Sequence, residues 1–346
     1  MKHLKEIVLF LAIVGLLLAC GGGGGSSSST DDAEVVAFAG LDLSKPDVDD
    51  GDFIFIHVDT VMADGNYLVT TSTNLDIQYS TDENIYMTNI IVLKHVQAAG
   101  NTFTMGSSET PDIFALDNET RHGVTFSSNF YMGVYEVTQR QWLHVMGGDN
   151  PSEWRADNNP VESISYDTIR GDATIYDWPA TDTADESSFI GLLRERTGLN
   201  IDLPTEAEWE YTCKAGTETP NFSGNNTMGN TTELSEDLED IAFFLDNNPG
   251  IFDVKQTTGV GGLNPNAWGF YDMLGNVFEW CNDNYEIDLG TASQTDPVGS
   301  TTNGAKALRG GAYGNSAVNV RSASRSAAVT TNELETYGLR LYLKEE

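Results

Sequence analysis

The stretch Gly269-Phe270-Tyr271-Asp272-Met273-Leu274-Gly275-Asn276-Val277-Phe278-Glu279-Trp280, followed by Arg309-Gly310-Gly311, most constrains what this chain can fold into. Gly275-Asn276 sits between apolar residues, so the backbone is expected to turn sharply there. Asp272 and Glu279 flank that turn. Two carboxylates and two free carbonyls converging on a turn would suit a hard cation. The alternative is that Asp272 caps the turn and Glu279 pairs with an arginine in the core. Upstream, Thr205-Glu206-Ala207-Glu208 has the form of a capping box, in which the threonine hydroxyl takes an orphan amide and Glu208 reaches back. A helix from Thr205 to Ala215 is expected, stopped by Gly216. Glu208 is then structural.

The N-terminus reads as a processing signal. Lys2 and Lys5 precede an apolar run from Ile7 to Ala19, too short for a comfortable membrane span, and Leu17-Leu18-Ala19-Cys20 resembles a bacterial lipobox. Residues 1–19 are expected to be a lipoprotein signal peptide, with Cys20 the lipidated first residue of the mature chain. Residues 20–34, rich in Gly and Ser, form a flexible tether. The expected location is the bacterial cell envelope, lipid-anchored, at the outer membrane or cell surface. A net charge of −34 argues against nucleic acid and anionic lipid as partners.

Residues 35–95 are expected to form a small β-rich module. Its strand-like runs are Phe53 to Val58, Tyr67 to Thr71, Leu75 to Tyr79, Ile85 to Thr88 and Ile90 to Leu93, with a turn signal at Asp64-Gly65-Asn66. Residues 96–346 carry the segments above. They also carry three landmarks: Ala99 to Ser107, Tyr131 to Thr138 leading into a helix from Gln139 to Met146, and Asn159 to Tyr166. Arg170 to Glu186 looks like a polar insertion.

Taken together, these segments resemble the formylglycine-generating enzyme (sulfatase-modifying factor) family, a branch of the C-type-lectin-like fold. The resemblance covers roughly residues 96–343 and implies an α+β fold. It implies calcium held by the side chains of Asp272 and Glu279 and the carbonyls of Gly275 and Val277. It also implies structural roles for Arg309 and Arg340. The family's oxidase binds copper through two cysteines shortly after Arg-Gly-Gly. Here that stretch is Ala312 to Arg321, with no cysteine after Cys281, so no copper and no formylglycine generation are expected. In many relatives the cysteine at the place of Cys213 pairs with one after Arg-Gly-Gly. That place resembles Val320, so Cys213 is expected to be free and buried, with a Cys213–Cys281 disulfide as the alternative. The residue before Leu203-Pro204 is often arginine in relatives, and here it is Asp202.

Other catalytic sets find no support. His57, His95, His122 and His144 do not follow a zinc-like spacing, and Gly259-Val260-Gly261-Gly262 lacks the context of a phosphate loop. Tyr313 to Asn332 stands out instead: it holds no acidic residue, where a chain with 52 in 346 would average about three. In some lectin-fold relatives this segment is a variable ligand surface rewritten by diversity-generating retroelements, and its Ala/Ser/Asn/Val/Thr/Gly alphabet fits such rewriting. The alternative is an ordinary small-residue loop packed for sterics. The candidate ligand-binding residues are Tyr313, Gly314, Asn315, Ser316, Val318, Asn319, Val320, Ser324, Ser326, Ala327 and Ala328. The expected function is binding of a protein or glycan ligand by a surface lipoprotein. An extracytoplasmic enzyme with an unrecognised site, or a structural envelope lipoprotein, are the alternatives.

Overall fold

The computed structural model describes residues 52–72, 84–107, 115–224, 236, 238–248, 255–302 and 304–345. The signal, Cys20, the tether and the strand expected at Leu75 to Tyr79 lie outside the described residues.

The first sheet has six strands in the order β2-β1-β3-β6-β13-β7. These are β1 (Phe53–Val61), β2 (Tyr67–Ser72), β3 (Ile90–Val96), β6 (Phe130–Gly133), β7 (Ile201–Asp202) and β13 (Tyr342–Lys344). β1 shows why this part is central. Successive side chains point to opposite faces. Ile54, Ile56 and Val58 enter one apolar core with Ile91 and Leu93, and Phe53 and Phe55 enter another with Ile90 and Val92. The hairpin between β1 and β2 turns where Asp64 caps the Asn66 amide at 3.0 Å, with Gly65 at φ +90°.

Two expectations change here. Ile85–Thr88 is a single helical turn, α1, closed by the Asn89 amide donating to the Ile85 carbonyl at 2.9 Å. The boundary at residue 95 is also not a break in the fold. β3 runs through it and pairs with β1 on one side and β6 on the other, so β1 and β2 extend the larger domain's own sheet.

The helices α2 (Gln139–Met146), α3 (Tyr166–Arg170), α4 (Phe189–Thr197) and α5 (Glu206–Lys214) pack around the sheets. α2 and α5 both start with capping boxes, Thr138 with Gln141 and Thr205 with Glu208. Trp142 of α2 stacks on Phe189 of α4 with ring centroids 4.7 Å apart. Residues 170–186 form a loop whose ends meet, the Asp185 amide donating to the Arg170 carbonyl at 3.0 Å. Asp202, at the place where relatives often carry arginine, ties this region down by accepting from both Arg170 and Arg194.

A second sheet has the order β11-β10-β8-β12, from β8 (Phe278–Asn284), β10 (Lys306–Arg309), β11 (Arg325–Ala328) and β12 (Tyr337–Gly338). A third joins β4 (Thr102–Met105), β5 (His122–Thr125) and β9 (Gln294–Thr295). β8 and β10 bring the two diagnostic segments together: the Gly275 amide donates to the Gly310 carbonyl at 3.0 Å. Only glycine fits at 275, where φ is +83° and a Cβ would stand 2.3 Å from the Phe243 carbonyl oxygen.

Candidate functional site

The segment after Arg309-Gly310-Gly311 is pinned to α5 and its neighbours by buried ion pairs. Arg309 reaches the carboxylate of Glu210 and donates to the carbonyls of Ser322, Ala323 and Ser324. Arg321 grips Glu119 through two hydrogen bonds of 2.6 and 2.9 Å. Arg325 grips Glu206 at 2.6 and 2.7 Å. These side chains are buried. Bidentate arginine–carboxylate pairs fix orientation as well as charge, and removing one partner leaves an uncompensated charge in the interior. Burial alone would raise the Glu210 carboxyl, but Lys214 and Arg309 hold it below the usual range. The acid-free composition of the window therefore has a local cause. Its arginines dock onto carboxylates supplied by α5 and by the 115–120 loop.

Between these pins the chain surfaces. The expected ligand face divides in two. Gly314 and Asn319 are exposed, and Asn315, Ser316 and Val318 are half-buried, around a single 3-10 turn at Ala317–Asn319. Ser326 and Ala327 are half-buried on β11, an edge strand. Tyr313, Val320, Ser324 and Ala328 are buried, Val320 completely. This corrects the expectation for those four: Val320 packs in the core with Ala207 and Trp209, and Ala328 in the core with Trp280 and Leu308, while Ser324 lies beside the buried Arg325. Tyr313 instead ties the turn to the rest of the surface, its hydroxyl accepting from the Trp154 indole at 3.0 Å. The Asn315 side chain caps the Ala312 amide at 2.8 Å, and its carbonyl accepts from the Leu245 amide at 3.0 Å.

The four candidate metal ligands meet a different environment. Both oxygens of Glu279 are occupied: Arg340 donates to them at 2.7 and 3.0 Å, and Trp209 donates from its indole at 2.6 Å. Asp272, at φ +53°, accepts from the Gly261 amide at 2.6 Å. Glu136, which the sequence reading missed, completes the cluster by accepting from the Asn276 side chain at 2.7 Å and the Val277 amide at 3.2 Å. Burial pushes Asp272 up to about 6 and Glu136 well above the usual carboxylate range, with neighbouring carboxylates adding to both. Glu279 has no lone pair left for an ion, and a guanidinium stands beside it. As arranged, Asp272, Glu279 and the carbonyls of Gly275 and Val277 do not fit a calcium ion. The Glu279–Arg340 pair matches the other reading, whereas Asp272 accepts from the Gly261 loop rather than capping the Gly275-Asn276 turn. Among the described residues no group of three His, Cys, Asp or Glu side chains is placed to hold a metal.

The thiols are equally enclosed. Cys213 and Cys281 are unpaired and buried. Burial pushes Cys213 up to about 12 and Cys281 well above its ordinary value. The Cys213 thiol faces the Met273 carbonyl at 4.0 Å, in the same apolar core as Val320.

Curled sheets, capped helices and a loop-rich surface pinned by buried arginines define a C-type-lectin-like fold of the formylglycine-generating-enzyme type. Over residues 92–344 the sequence matches the family described as Sulfatase-modifying factor enzyme 1-like domain, and the chain belongs to that family. Chaperone protein LppX of Paenibacillus barcinonensis is 37% identical over 174 residues, 44% of this chain and 62% of that protein. The formylglycine-generating enzyme of Mus musculus is 28% identical over 177 residues, 51% of this chain and 41% of that enzyme. The chain thus spans less than two thirds of either relative. Among solved structures, Treponema denticola variable protein 1 has the same fold, with a TM-score of 0.58 at 23% identity over 74% of this chain and 96% of that one. Among the described residues no helix is long and apolar enough to cross a membrane.

Proposed function

We propose that this chain is an envelope lipoprotein, anchored through Cys20, that binds a protein ligand with the exposed turn from Gly314 to Asn319. One observation carries the reading: a short run of small side chains is held at the surface between buried arginine anchors. A rigid scaffold under an adaptable loop is a common way to build a binding site. Short side chains lose little rotamer entropy on contact. Both described thiols are enclosed and carry raised pKa values, which disfavours thiolate chemistry. The naming of one relative as a chaperone favours a protein ligand over a glycan, and the naming of a solved structure of the same fold as a variable protein supports the variable-surface reading.

Sequencing the gene segment for residues 313–337 across a bacterial population tests the variable-surface reading. Substitutions gathered at Gly314, Asn315, Ser316, Val318 and Asn319, and absent from Val320, Arg321, Ser324 and Arg325, are expected. Variation spread evenly over exposed and buried positions would count against it. For the anchor, Cys20→Ala should abolish lipid attachment, and an unchanged lipidated N-terminus in that variant would sink the assignment.

A further inference from the structure

The surface beside the exposed turn has a definite chemical character. Trp154 is half-buried, its indole N–H committed to the Tyr313 hydroxyl and its backbone amide to the buried carboxylate of Glu162 at 2.9 Å. Ser163 sits at φ +59°, donates from its hydroxyl to Glu162 at 2.7 Å, and donates from its amide to the Leu334 carbonyl at 3.1 Å. These bonds link Trp154 to Tyr313, which leads into the Gly314–Asn319 turn, and through Glu162 and Ser163 to the backbone at Leu334. Leu334 is 44% exposed, and Leu245, whose amide donates to the Asn315 carbonyl, is 37% exposed. Glu153 and Glu335 are exposed. Glu153 directly precedes Trp154 and Glu335 directly follows Leu334, and burial, with these carboxylates and Glu162 adding to it, pushes the Tyr313 phenol up to about 12. Arg155, the nearest cation in sequence, is folded back onto its own loop by bonds to the carbonyls of Ser152 and Asn150.

An apolar face with an aromatic ring at its centre and carboxylates at its rim suits one kind of partner. We propose that this face takes a basic segment of a partner protein, a lysine or arginine side chain lying along Trp154 with its charge between Glu153 and Glu335. A cation over an indole face is attracted by the ring quadrupole, and complementary rim charges steer association and set specificity. The apolar stem of such a side chain covers Trp154 and Leu334 while its charged end stays wet. The proposal rests on the reading of the Gly314–Asn319 turn as the ligand face and adds the chemistry of what that face accepts.

The test uses the folded lipid-free chain and a short synthetic peptide alternating lysine with leucine, with a glutamate-for-lysine peptide as control, followed by calorimetry at low salt. The lysine peptide should bind and the glutamate peptide should not. Changing Glu153→Gln together with Glu335→Gln should weaken binding about fivefold or more, and Trp154→Leu should weaken it without the charge change. A matched pair remote from the face, Asp59→Asn with Glu195→Gln, makes the same change in net charge and should leave binding within about twofold. Equal loss in both pairs would show general attraction to an acidic protein and overturn the site. So would no loss in the face pair. Failure here leaves the turn itself open to another ligand, because the population sequencing above reads that claim independently.

Discussion

Replacing Arg340 by methionine removes a cation from the most crowded part of the interior. Arg340 is fully buried, makes a bidentate pair with Glu279, and donates to the carbonyls of Gly133 and Tyr271 at 2.9 and 2.8 Å. Its loss leaves Glu279, Glu136 and Asp272 as three buried carboxyls with no neighbouring guanidinium. Breaking a buried pair from one side typically costs about 3–5 kcal/mol. For a domain of this size that corresponds to a fall in Tm of roughly 6–20 °C. Thermal unfolding followed by circular dichroism reads the shift. Adding Glu279→Gln to Arg340→Met should recover part of it, because the uncompensated charge is gone. A loss below about 1 kcal/mol, or no recovery in the double variant, would refute the view that Arg340 is the counter-charge of Glu279.

Three further outcomes follow from the same interior. Chelator should leave the unfolding temperature of the wild type unchanged; an ion bound at a hundredfold excess over its dissociation constant would add about 2.7 kcal/mol that chelation would remove. Asp283 is buried and its carboxyl is raised well above its ordinary value of 3.8 by burial and by Glu206 and Glu208. The folded state then holds a proton that the unfolded state has lost. Relative to Asp283→Asn, the wild type should lose stability as pH rises from about 4 toward the folded pKa and run parallel above it; denaturant midpoints across pH would show this, and a constant difference would contradict it. Neither Cys213 nor Cys281 should be alkylated in the folded protein near pH 8, both should react after unfolding, and no sulfatase-type peptide cysteine should be converted to formylglycine. Conversion above a protein-free control, seen by mass spectrometry, would overturn the last of these.

Local signals in the sequence translated well into structure. The helix expected from Gln139 to Met146 has those bounds, and the capping box at Thr205 and Glu208 starts α5 as expected. Both rest on contacts within one turn of chain, which a sequence displays directly. The strand expected at Ile85 to Thr88 failed because a short β-branched and aromatic run does not distinguish a strand from one helical turn. The site was half legible. Glycines and arginines flagged the scaffold. Yet which carboxylate each arginine meets, as in Arg321 with Glu119 across 202 positions, depends on tertiary approach. Burial depends on the same tertiary approach, which is why Val320 and Ser324 look like their exposed neighbours in composition and pack inward. Glu136 was missed for the same reason: nothing near it in sequence shows that it closes on Asn276, 140 residues away.

The central claim, that the turn from Gly314 to Asn319 is where this protein meets its ligand, is most directly tested by contact in the living cell. A photo-crosslinking amino acid placed at Asn315 or Asn319, and at exposed Glu195 as a remote control, would be activated on intact bacteria and the adducts sized by immunoblotting. The account predicts discrete protein adducts from 315 and 319 that are absent from 195 and are lost when the neighbouring turn residues are substituted. Adducts of equal yield at all three positions, or at 195 alone, would contradict it.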